Sequence, residues 1–184
     1  MSLGETVPAG GVVSITAPGT TAGSSRKSTS PITKPAAPRA KAAPSPESPL
    51  TSEQQRGVVD ACAASLLTSH GLRTLAPDEP AYQGRYDGDP FQRDSAYHQG
   101  TVWAWLIGPF VLAHLRVYQD PIAARRMLEP FGDHLCSAGL GTISEIFDGD
   151  APFAAKGCIA QAWSVAEVLR AMEIVEQARG ANDA

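Results

Sequence analysis

RDSAYHQGTVWAWLIGPF (93–110) and GLGTISEIFDGDAPF (139–153) decide the fold of this chain. Each is a glycine-punctuated run of polar and aromatic residues, and each begins or ends an amphipathic helical pattern. Working outward, the apolar spacing of Trp103, Leu106, Ile107, Phe110, Leu115 and Tyr118 predicts a helix over about 99–118, kinked or broken near Gly108-Pro109. Asp120-Pro121 reads as a cap followed by a proline in the first turn, opening a helix to about 136 that Pro130 distorts. A last helix is expected over about 157–178, with Ile159, Trp163, Ala166, Leu169, Met172 and Val175 as its buried stripe.

Upstream, Ser52 and Gln55 fit a capping box for a helix over about 53–68. Val58, Val59, Cys62, Leu66 and Leu67 form its apolar stripe, and Ser69-His70-Gly71 ends it. Residues 71–97 read as an extended loop because Pro77, Pro80, Gly84, Gly88 and Pro90 exclude a long regular element. Tyr82, Tyr86, Phe91 and Tyr97 argue that this loop is ordered, since such rings need something to pack against. Residues 137–156 form a second long loop, in which GTISEIF can supply a brief extended piece. Val12–Ile15 is too short and isolated to count as a strand.

Residues 1–50 hold eight of the fifteen prolines and no aromatic residue. Such a segment cannot bury enough apolar surface to offset its ordering entropy, so it reads as a disordered tail, with 35–49 tending to polyproline II. The tail carries five basic and two acidic residues and the remainder ten and seventeen, so a net of +3 precedes a net of −7. An acidic folded part argues against a nucleic-acid surface. Cys62, Cys136 and Cys158 have no metal or disulfide spacing and fit small buried thiols in a reduced, cytoplasmic protein. No signal peptide and no membrane span is read in the chain. His70, His98, His114 and His134 share no metal motif, and no cofactor is expected.

Glu145 is the first candidate for chemistry. It lies in TISEIFDG, where Ile143, Ile146 and Phe147 can anchor a loop that presents a carboxylate at a fixed distance from a sugar. Glycoside cleavage requires two carboxyl groups, and a cap or salt bridge is the plainer role for one alone. Asp148 and Asp150 read as turn formers beside Gly149. Asp94 reads as an Asx turn or buried ion pair, with sugar hydroxyl binding as the alternative. His98 and Gln99 can bond sugar hydroxyls or neighbouring backbone. Of Trp103 and Trp105, one belongs in the core, and the other can stack on a pyranose ring or lie at a surface. Tyr82 and Tyr86 read as packing residues. The glycines lack the spacing of a phosphate loop, and Ser144 lacks a nucleophile elbow.

Residues 56–174 resemble the C-terminal end of bacterial amylo-alpha-1,6-glucosidases, the debranching domain of glycogen debranching enzymes. GLRTLAPDEPAYQGRYDGD (71–89), RDSAYHQGTVWAWLIGPF (93–110), HLCSAGLGTISEIFDGDAPF (134–153) and KGCIAQAWSVAEVLRA (156–171) carry the likeness. Ala104 stands where the family has proline between the two tryptophans, a mild change because alanine is a good helix former. The resemblance implies an all-α fold, the C-terminal portion (about four helices) of an (α/α)6 barrel over residues 51–180. It implies inverting hydrolysis of α-1,6 branch stubs on glycogen or limit dextrin, with release of glucose. It assigns the general base to Glu145 and the lining of the sugar site to Asp94, His98, Gln99, Trp103, Gln161 and Trp163. The family's general acid is an Asp in an upstream loop with no counterpart in residues 1–50. The expectation is therefore a partial domain. It is either the product of truncation or frameshift, inactive but able to bind glycan, or it is completed by a separately encoded N-terminal part of the barrel.

Overall fold

The computed structural model describes residues 48–182. The expected tail up to residue 47, Val12–Ile15 included, lies outside the described residues. Helix α1 spans Ser52–Ser65, and Thr51 is its cap. The Thr51 hydroxyl accepts from Gln54 N while Gln54 returns a bond to Thr51 N, so the capping box sits one residue before the expected pair. The chain then turns at Ser69-His70 into a hairpin of β1 (Leu67–Thr68) and β2 (Gly71–Arg73). Leu67, expected to end the first helix, instead pairs with Leu72.

The loop expected over 71–97 contains a short helix, α2 (Pro90–Ala96). Asp89 caps it through Gln92 N, and Pro90 occupies its first turn. Tyr82, Tyr86 and Tyr97 are half-buried as expected, but Phe91 is 81% exposed on α2.

The helix expected over 99–118 is three elements. Strand β3 is Val102–Trp103, a single 3-10 turn covers Ala104–Leu106, and α3 runs Ile107–Tyr118. Thr101 explains the early part, because its hydroxyl donates to Ala96 O at 2.7 Å and Gly100 N donates to Thr74 Oγ1 at 3.0 Å. Pro109 falls in the first turn of α3, where its missing N–H would have had no partner, so of the expected kink or break the structure shows the break, just before Gly108-Pro109.

Pro130 likewise divides the next expected helix into α4 (Pro121–Arg126) and α5 (Pro130–Ser137). The Asp120 cap holds as read, accepting from Ile122 N and Ala123 N at 3.0 and 2.9 Å. Strand β4 (Ile146–Phe147) is the brief extended piece of GTISEIF, and β5 (Ala155–Lys156) follows it. Helix α6 (Ala162–Asn182) starts five residues later than expected.

The five strands form one antiparallel sheet in chain order, with Leu72 opposite Trp103, Trp103 opposite Ile146, and Ile146 opposite Lys156. The fold is thus helical with a small sheet that an all-α class does not include. Gly71 permits the β2–β3 approach, since a Cβ there would collide with the carbonyl of Trp103 at a φ of 138°. The core joins Val59 and Cys62 of α1, Ile107, Phe110 and Val111 of α3, and Val168, Ala171 and Val175 of α6 to Leu72, Val102 and Phe147 of the sheet.

Helix α6 corrects the expected stripe. Its buried face is Ser164, Val168, Ala171 and Val175, whereas Ile159 before it and Trp163, Ala166 and Leu169 within it are exposed. The helix is apolar on two sides, and the pattern alone does not say which side is covered. Of the cysteines, only Cys62 is buried; Cys136 and Cys158 are exposed, contrary to the reading of three buried thiols.

Two histidines sit between sheet and helices. His134, on α5, is 4% exposed and accepts from Ser144 N through Nε2 at 3.1 Å. His70 stacks on Phe147 at 4.5 Å and meets His134 edge-on at 5.7 Å. Burial lowers both imidazole pKa values; for His70 the repulsion of His134 adds to this and Asp133 opposes it. A folded pKa below the unfolded value of about 6.5 means that the stabilising contribution is present above that pH. It is lost as pH falls toward the folded values. Urea unfolding midpoints should therefore fall between about pH 7 and pH 5, and His70→Phe, which keeps an aromatic ring against Phe147, should flatten that fall. Identical pH slopes in the two proteins would contradict this account.

Candidate active site

Glu145 precedes β4, where backbone pairing fixes its Cα. Its N–H donates to Cys158 O at 2.9 Å, and its carbonyl accepts from Ala104 N at 3.5 Å. The half-buried carboxylate is held at both oxygens. Oε1 accepts from the Tyr97 hydroxyl at 2.5 Å, and Oε2 accepts from Cys158 N at 2.9 Å. Charge-assisted bonds of this kind are stronger than neutral ones and fix direction as well as position. Gly157 makes the second contact possible: it has a φ of 67°, and a Cβ there would stand 2.6 Å from Glu145 Oε2 and 2.9 Å from Ile146 Cγ1.

An aromatic cluster adjoins the carboxylate. Trp103 is 6% exposed and donates its indole N–H to Tyr97 O at 3.0 Å. It is therefore the core member of the tryptophan pair, and it does so from a strand. His98 lies parallel on Trp103 with centroids 5.2 Å apart, and Tyr97 packs at 4.7 Å from the same indole. Trp163 meets Trp103 edge-on at 6.3 Å and Trp105 at 5.4 Å, and it is 50% exposed. Buried Trp103 thus backs a wall whose open face is His98, Trp163 and half-buried Trp105.

Glu145, His98, Trp103 and Trp163 are brought together. Asp94, Gln99 and Gln161 are not joined to them by any side-chain hydrogen bond or ion pair among the described residues. Asp94 is exposed on α2, so it is not a buried ion pair, and it lies within the helix and not in a turn; its carbonyl accepts from Tyr97 N at 3.4 Å. Gln99 is exposed, and its carbonyl accepts from Gln83 N at 2.6 Å. Gln161 heads α6, donating its N–H to Ile143 O at 2.9 Å.

Two residues were missed. Tyr97 stood in the quoted AYHQG segment beside His98, which was the one available signal. Asp148, read as a turn former, is a buried carboxylate 1% exposed. It accepts from Tyr86 N at 2.9 Å and from Arg85 at 3.4 Å, with Lys156 4.0 Å away. Lys156 also pairs with Asp87. This network ties the loop carrying Tyr86 to β4, and Tyr86 in turn packs 5.6 Å from Tyr97.

The site is thus a fixed carboxylate beside a half-open aromatic wall on a helical scaffold. The family model described as amylo-alpha-1,6-glucosidase matches residues 34–170, and the chain belongs to that family. The match begins inside the proline-rich segment and takes in Glu145 and the whole aromatic wall. A cavity of about 360 Å³ lies elsewhere, between Arg125, Leu128, Glu129, Met172, Val175 and Glu176.

Gly157→Ala tests the hold on Glu145. The new methyl group should break the Oε2 contact, speed hydrogen exchange at the Cys158 amide and cost about 1–3 kcal/mol of stability. Unchanged exchange and an unchanged urea midpoint would contradict it.

Proposed function

We propose that this domain takes part in debranching of α-glucan, hydrolysing α-1,6-glucosidic branch stubs to glucose by an inverting acid/base mechanism. The observation that carries the reading is Glu145, fixed at both oxygens next to the wall of His98, Trp103 and Trp163. An inverting hydrolase needs a base that activates water on one face of the ring and an acid that protonates the leaving oxygen on the other. Glu145 takes the role of base, because its carboxylate is held at both oxygens in one direction beside the aromatic wall. Trp163 and His98 offer faces and edges to the sugar, and Asp94, Gln99 and Gln161 serve hydroxyls from the margin. The acid is assigned to an Asp on another segment of an (α/α)6 barrel of which this domain forms part. The substrate is a branched glucan such as glycogen or limit dextrin, and the cellular setting is the cytoplasm.

A second reading is supported by the exposed apolar side of α6. Ala162, Ala166 and Leu169 follow one another at helical spacing, Leu169 is 60% exposed, and Ile159 is 61% exposed just before the helix. Such residues suit a protein surface. In this reading the domain docks on a separately encoded N-terminal part of the barrel, or binds glycan without cleaving it.

Glucose release from branched limit dextrin by the purified chain, beside Glu145→Gln, separates the two. The first reading expects release that falls at least about 100-fold in the mutant, with unchanged circular dichroism. Release that persists in the mutant contradicts the role of Glu145. Glycan binding without release supports the second reading.

A further inference from the structure

We infer that Trp105, Trp163 and the Glu167–Arg170 pair form a subsite for a second glucosyl residue of the α-glucan, next to the one served by Glu145. The inference rests on the reading of Glu145 and its aromatic wall as a sugar site. Trp105 stands half-buried in the 3-10 turn of Ala104–Leu106, and Trp163 stands at the start of α6. Their rings are 5.4 Å apart and tilted by 32°, whereas Trp103 meets Trp163 edge-on at 6.3 Å. Trp163 thus joins the indole that packs on Tyr97 and His98 to one that, among the described residues, has no ring contact with either. One pyranose ring covers one such face, so the row offers more stacking surface than a single glucose uses.

The polar half of the subsite lies along α6. Glu167 follows Trp163 by one helical turn on the same side, and Arg170 follows Glu167 in the same way. The Glu167 carboxylate rests on Gly108, just after the turn that carries Trp105: a Cβ there would stand 2.1 Å from Oε2. Gly108 has no positive φ to explain it, and glycine in a helix costs stability relative to alanine. The space it leaves is filled by the carboxylate. Arg170 donates to both carboxylate oxygens, from Nε at 3.1 Å and from a terminal amino group. Among the described residues the two side chains bond only each other, and they are 25% and 40% exposed. A pair this exposed adds little to stability, so the fold alone does not account for a glycine kept beneath it. Arg170 keeps further N–H donors and the carboxylate keeps lone pairs. Donors and acceptors fixed beside an indole suit a sugar, whose hydroxyls need partners while its ring face packs on an apolar one.

The test is an NMR titration of the full chain with glucose and with isomaltose, the α-1,6-linked glucose disaccharide, in wild type, Trp105→Leu and Glu167→Ala. Wild type should bind isomaltose about 10-fold more tightly than glucose. In each variant that ratio should fall toward one, because the second ring loses its stacking face or its hydroxyl partner. Trp105→Leu keeps an apolar side chain in the turn. Should it fail to fold, Glu167→Ala decides the matter alone, since it replaces an exposed helical residue with a good helix former. Variants that keep the wild-type ratio overturn the inference and leave the role of Glu145 standing. Equal affinities of wild type for the two sugars also overturn it. Binding of neither sugar overturns it together with the reading of the site, whereas glucose release that persists in Glu145→Gln removes only the role of Glu145.

Discussion

The antiparallel pairing of Val102–Trp103 with Ile146–Phe147 is the constraint on which the rest of the site depends. It joins two segments more than forty residues apart in the sequence, one carrying Tyr97, His98 and Trp103 and the other carrying Glu145. Strands of two residues have no stability of their own. They hold here because Val102, Ile146 and Phe147 are buried against the helices, and because Gly71 lets β2 close on the other edge of β3. The apolar core therefore sets the position of a polar group that contributes nothing to that core.

From this pairing the chemistry follows in short steps. β4 brings Glu145 level with the turn after β5, whose glycine exposes an N–H to one carboxylate oxygen. β3 brings Trp103 against the end of α2, which places the Tyr97 hydroxyl on the other. Asp148, buried and paired with Arg85, ties in the loop that supplies Tyr86. Asp148 is buried but the Arg85 side chain is 49% exposed, so the pair is weak evidence for stability; its service here is to fix which loop packs on Tyr97. The same wall that backs Glu145 runs out to Trp163, half in solvent.

Some of this was legible in the residues. The cap at Asp120-Pro121 and the extended piece of GTISEIF could be read directly, and the likeness in the segments around Glu145, Trp103 and Trp163 pointed to the family. The sheet could not be read, because strands of two or three residues are shorter than any alternation that would reveal them. For that reason Trp103 was placed on a helix although it lies in a strand. The exposed side of α6 was misjudged because both of its sides are apolar, and only the packing of α3 and α4 selects Val168 and Ala171 over Trp163 and Leu169. Tyr97 meets Glu145 48 residues away, and Asp148 meets Tyr86 and Arg85 62 and 63 residues away, and no local motif announces such contacts.

The most direct test of this account follows the indole N–H resonances of Trp103, Trp105 and Trp163 by NMR while a small glucan containing an α-1,6 branch is added. If the wall beside Glu145 receives the sugar, the Trp163 and Trp103 signals shift together and saturate, and Leu128 and Met172 at the distant cavity stay still. Absence of any saturable shift, or shifts confined to that cavity, would contradict the assignment of the site.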